Sequence, residues 1–185
     1  MTFIKKLTAS SSANLSFVDG SSDVVLDNTY KEYLFTFNNM HPATNAAEFV
    51  INFSVDSGSN YNVSKTTTAF RVLLYEGDSA ASISYDTGRD LANGTGDLEL
   101  AHDINAESDG SVSGSINLFN PSSTTFVKHF ISTSHSSQTD GESNRGAIAN
   151  HKAGYCNTTS AIDAVRFKFS SGNIDAGDIC LYGIN

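Results

Sequence analysis

Tryptophan is absent from this sequence, and proline and cysteine occur only twice each among 185 residues. Two cysteines, Cys156 and Cys180, are too few for a disulfide-stapled scaffold. Both lie near the C-terminal strand segments, where one bridge is geometrically conceivable; otherwise they serve as small, reduced, apolar residues. Basic residues are also scarce. Eleven Lys and Arg against 20 Asp and Glu give a formal charge of −9. Such a surface repels phosphate, and Lys5-Lys6 is the only adjacent basic pair, so direct nucleic-acid binding is not expected. No stretch approaches the roughly 20 apolar residues of a membrane-spanning helix. The start, MTFIKKLTASSSA, is charged but has no apolar run and does not read as a signal peptide. A soluble chain made in a cytoplasm is the expectation. A helical period of 3.6 is missing throughout.

What the sequence does contain is Ser, Thr, Asn and Gly punctuated by 12 Phe and 7 Tyr, too many aromatics for a disordered chain. Apolar residues recur with period 2, the mark of strands with one dry face. The clearest runs are Tyr33/Phe35/Phe37, Phe49/Ile51/Phe53/Val55, Val112/Gly114/Ile116/Leu118 and Val165/Phe167/Phe169. The last run, followed by turn-forming Ser170–Asn173 and Asp175–Asp178 and then Ile179–Tyr182, reads as a closing antiparallel pair. Around Phe70–Tyr75 both alternating sets are partly apolar, which suggests a central strand buried on two sides. Gly77–Gly110 reads as long loops with short strands near Ile83–Tyr85 and Leu98–Ala101, and Thr133–Arg145 as an exposed loop. Eight to ten short strands at even spacing predict an all-β fold, an antiparallel, jelly-roll-like β-sandwich over residues 14–185. Residues 1–13 read either as a docking arm or as an edge strand. As an arm they would offer Phe3, Ile4 and Leu7 as an interface.

Motifs for chemistry are weak. Gly110–Gly114 is GSVSG, with Val112 where a hydrolase elbow needs its serine. There is no phosphate-cradling Gly-rich loop followed by Lys. His41, His102, His129, His135 and His151 lack zinc-site spacing and read as surface residues. The acidic run Asp97–Asp109 is the best metal candidate, with Asp97, Asp103 and Asp109 as oxygen ligands for calcium, although the spacing matches neither an EF-hand nor an RTX repeat. Solvated loop acids are the simpler reading, and no cofactor is expected. A pair of carboxylates for glycan hydrolysis stays open, but the absence of Trp removes the usual sugar-stacking platform.

Three stretches carry a family likeness: Leu7–Phe35, Leu118–Ser132 and Asn157–Ile184. Together they resemble structural proteins of tailed bacteriophages, especially of marine bacteria, of the capsid-decoration or tail-fibre type. The likeness covers both ends of the chain but not Gly77–Gly110 or Thr133–Arg145. It brings no catalytic motif. It implies a non-enzymatic protein located on the virion, made in the host bacterial cytoplasm, contacting other virion proteins and itself as a homo-oligomer. The alternative is a carbohydrate-binding module for a host surface glycan, with the two unmatched loops facing it.

Overall fold

Period-2 burial is realised strand by strand. The computed structural model of the chain describes residues 1–139 and 145–185, with the backbone alone at 138, 139 and 145. It contains twelve strands: β1 (Thr2–Thr8), β2 (Leu15–Val18), β3 (Glu32–Pro42), β4 (Ala47–Ser54), β5 (Lys65–Tyr75), β6 (Ala81–Tyr85), β7 (Leu98–Ile104), β8 (Val112–Phe119), β9 (Lys128–Thr139), β10 (Arg145–Cys156), β11 (Ala164–Phe169) and β12 (Ile174–Ile184). That is more than the eight to ten expected. Among the described residues no helix is long and apolar enough to cross a membrane. All pairings are antiparallel. One sheet runs β1-β12-β3-β8-β9-β10-β5-β6 and the other β7-β4-β11-β2, and a single bridge between Ile104 and Gln138 joins them.

The dry interior lies between β12-β3-β8 and β4-β11-β2. Phe167 sits at its centre, fully buried, with ring centroids 5.6 Å from Phe35, 5.9 Å from Phe49, 6.3 Å from Phe17 and 6.5 Å from Phe37. Tilted, edge-on and stacked rings at these separations add specific attraction to the burial itself. Phe53 meets Phe130 of the opposite sheet at 5.5 Å.

Three expectations need correction. The strands of the expected closing pair are not hydrogen-bonded to each other. β11 pairs with β4 and β2, whereas β12 pairs with β1 and β3. Each has its own apolar face, and those faces can meet only when the strands stack across the core, so Ser170–Asn173 carries the chain between sheets. β5 is not buried on two sides: it lies next to the edge strand β6, and Phe70 and Leu74 are exposed. Thr133–Arg145 is strand rather than loop up to Thr139 and again from Arg145; residues 140–144 of that stretch lie outside the described residues. Apolar periodicity is lacking there because the inward side chains are serines. Ser132 Oγ donates to the Ser115 carbonyl at 2.9 Å and Ser134 Oγ to the Leu100 carbonyl at 2.8 Å. Of the weaker expectations, the short strands near Ile83 and Leu98 are present as β6 and β7.

Phe167→Ala is expected to remove about 3–5 kcal/mol of stability, the usual range for deleting a buried aromatic ring. Urea unfolding measures this; an unchanged midpoint would show that the ring is not central to the core.

Candidate functional site: a sheet face with inverted polarity

The half of the large sheet made by β5, β9 and β10 has its polarity partly reversed: Ala69, Leu73, Phe130 and Ile148 are buried there, but among polar and charged side chains. Lys65, Thr67, Lys128, Ser132, Ser134, Ser136, Asn150 and Lys152 are buried on the inner face. Arg71 also points inward, with its Nη1 2.6 Å from His102 Nε2. The outer face carries Phe70, Leu74 and Ile131, exposed by 44%, 48% and 54%, and continues onto β6 with Ile83 and Tyr85 at 77% and 53%.

The inward charges survive because β7 and the segment before it bring opposite charges. Arg89 is the hub: 2.6 Å from Glu99, 3.3 Å from Asp86, 3.9 Å from Asp103 and 4.0 Å from Glu48. Arg71 has only donors, so the facing His102 Nε2 must accept and the ring proton lies on Nδ1, which is 3.2 Å from Glu99 Oε1. His102 is fully buried, contrary to the surface position expected for it. Burial alone would raise the Glu99 carboxyl, but the nearby His102 ring and the Arg89 charge outweigh it and hold Glu99 below its ordinary value. Lys152 is lowered by its burial and donates to the Arg89 carbonyl at 3.5 Å. Lys128 Nζ donates to the Thr158 and Ser160 carbonyls at 3.2 and 2.5 Å. Between Lys65 and Lys128 in the cross-strand row lies Cys156, whose thiol burial pushes up to about 12. Both cysteines are free. Desolvating this many charges gains little net stability, because the lost hydration offsets most of the attraction. The layer fixes which strands lie opposite each other.

The outer face is as unusual as the inner. Directly opposed residues share a face, so the register gives its composition. From β6 to β8 one row reads Tyr85, Phe70, His151, Thr133, Ser115, and the next Ile83, Val72, Ala149, His135. None of these carries a fixed charge, in a chain with 31 charged side chains. Phe70 stacks on His151 at 4.7 Å. A shallow groove of about 500 Å³ crosses the same sheet, lined by Thr66, Thr68, Phe119, His129, Ile131 and Tyr155 among others.

The residues singled out from sequence fall in separate places. Phe3 is 56% exposed and packs edge-on against Tyr182. It heads an outward row that runs through Tyr182, Leu34, Asn117, Ile131 and Ala153 to Thr68, placing Phe3 at the far end of the same sheet surface. Ile4 and Leu7 are partly buried against the core, so the three do not form one patch. Asp97 lies 2.9 Å from Lys168 and 3.4 Å from Arg166, and Asp103 joins the Arg89 cluster. Asp97, Asp103 and Asp109 are not brought together as ligands: among the described residues no group of three or more His, Cys, Asp or Glu is placed to hold a metal. No protein-family model matches the chain, and comparisons with curated proteins and with solved structures likewise find no match.

The charged layer makes stability depend on acid. Glu99 is lowered in the folded state, so its contribution is present above its unfolded value of 4.5 and is lost as pH falls below that through its folded value. Glu99→Gln is expected to flatten the acid limb of the stability–pH curve, as read from urea midpoints between neutral and strongly acidic buffer. A limb unchanged by the substitution would remove Glu99 from this role.

Proposed function

We propose that this is a non-enzymatic assembly subunit, a structural protein of a phage particle, which associates with copies of itself through the uncharged outer face of β5, β6, β9 and β10. The observation that carries the reading is the reversal of polarity. Lysines and an arginine are turned inward, at a solvation cost, while Phe70, Leu74, Ile83 and Ile131 face water. Contiguous exposed apolar surface of this kind marks contact sites.

The occupant follows from charge. Two copies, each carrying −9, repel over most of their surfaces. On this face neither copy presents a fixed charge, so the sheets pack without like-charge contact and without stranding an ion. Face-to-face sheet packing is a standard solution for two such surfaces. The virion setting rests on the resemblance of Leu7–Phe35, Leu118–Ser132 and Asn157–Ile184 described above.

A second reading is favoured by one feature. The groove sets the Tyr155 and His129 rings, 5.9 Å apart, beside the Thr66 and Thr68 side chains, a combination of ring faces and hydroxyls suited to a neutral sugar.

Ile83→Asp and Leu74→Asp are expected to weaken self-association at least about tenfold, the scale of losing one interface anchor, with unchanged circular dichroism. Sedimentation equilibrium measures this. A wild type that stays monomeric at high concentration, and that does not label on intact particles, counts against the assembly reading. Binding to a neutral glycan on an array, abolished by Tyr155→Ala, would favour the second.

A further inference from the structure

We propose that Lys65 and Asn52 become joined by an intramolecular isopeptide bond, which the folded chain forms by itself with release of one ammonia. The geometry points to it because every part of an amide-transfer site surrounds the Asn52 carboxamide. Lys65 Nζ lies 2.7 Å from Asn52 Oδ1, and both residues are buried, at 0% and 2% exposure. The Phe53 backbone N–H donates to the same Oδ1 at 2.9 Å. On the opposite side Asn52 Nδ2 donates to Asp97 Oδ1 at 2.9 Å and to the Thr95 carbonyl at 3.2 Å. These contacts fix the amide's orientation, since lysine has only donors and a carboxylate and a carbonyl only accept.

Each contact has a chemical role. The neutral amine is the nucleophile, and burial lowers Lys65 to about 8, bringing that form within reach near neutral pH. The Val63 carbonyl, 2.7 Å from Nζ, holds the amine in place. Attack on Cγ forms the new C–N bond and moves the carbonyl electron pair onto Oδ1, where the Phe53 N–H meets the developing negative charge. Asp97 lies beside the leaving nitrogen. Lys168 and Arg166, at 2.9 and 3.4 Å, stabilise its ionised form, and its hydrogen bonds with Lys168 and Asn52 outweigh burial and lower its pKa. The carboxylate takes the proton shed by the attacking nitrogen and returns it to Nδ2. The old C–N bond then breaks and ammonia departs. Amine and amide enter, a secondary amide and ammonia leave, and no oxidant or cofactor is needed. Holding the two groups in contact supplies the effective concentration that makes an otherwise slow aminolysis feasible.

The bond would close the loop between β4 and β5, tying the four-stranded sheet to the large one. This inference is independent of the assembly reading.

The test is intact-mass spectrometry of the purified full chain, incubated at mildly alkaline pH. The expected result is a mass below that of the sequence by one ammonia, loss of tryptic cleavage after Lys65, and a chymotryptic digest in which the pieces bearing Asn52 and Lys65 stay attached after the chain between them is cut. Asp97→Asn is expected to keep the full mass while retaining the wild-type circular dichroism spectrum. Full sequence mass with normal cleavage after Lys65 would overturn the proposal. So would an ammonia loss that maps to Asn93-Gly94, where a backbone succinimide gives the same mass change. Linkage in Asp97→Asn at the wild-type rate would remove Asp97 from the proton relay.

Discussion

The contact on which the rest of the molecule depends is the packing of Phe167 between the two sheets. Its ring meets Phe35 and Phe37 of β3 on one side, and Phe17 and Phe49 of its own sheet's strands on the other. Burying each such side chain is worth about 1.5–3 kcal/mol, against a net stability for a domain of about 5–15 kcal/mol. The aromatic cluster therefore supplies the stability that the other half of the large sheet does not. That other half is held by ions and hydroxyls, and in a desolvated layer these contribute more to choosing the arrangement than to strengthening it.

Having a strong dry half and a polar half explains the surface. Where β3 and β8 face the aromatic core, their outward residues are ordinary. Where β5 and β10 face the Arg89 cluster, Lys65, Arg71, Asn150 and Lys152 take inward positions beside Ala69, Leu73 and Ile148, and Phe70 and Leu74 are left outside. The patch on β5 and β6 is thus coupled to the buried charges beneath it by the period of the strand. A one-residue slip of β5 would send Arg71 outward and Phe70 inward, losing both layers at once.

What could be read in the sequence divides along the same line. β3, β4, β8 and β11 stand out because their inward positions are Phe, Ile, Leu and Val, and their alternation is visible residue by residue. β9 and β10 are legible only in part: Thr125–Ser132 reads as a strand and Gly146–Cys156 as a weaker one, but Ser134 and Ser136 look like loop residues until strands on both sides pair their backbones. The burial of His102 rests on Arg71 and Glu99, 31 and three positions away, a juxtaposition that no spacing rule reveals. The outer patch did leave a trace. Phe70, Val72 and Leu74 alternating with Arg71 and Leu73 form a strand apolar on both sides; burial on two sides is one solution, and burial on one side with a contact surface on the other is the solution found here. Asn52, Lys65 and Asp97 lie in different segments, and only the fold joins them.

The register of β12 bears on how the chain comes together during synthesis. Ile174–Ile184 lies between β1 and β3 and supplies the ladder for both. Thr2–Thr8 leaves the ribosome long before Ile174–Ile184, yet its ladder partner exists only once the intervening strands have been translated. β3 likewise waits with one edge open. Such distant pairing slows folding and leaves β-edges uncovered in the nascent state. Lys5 and Lys6 on β1 are the kind of charge that discourages stray strand-to-strand pairing while the wait lasts.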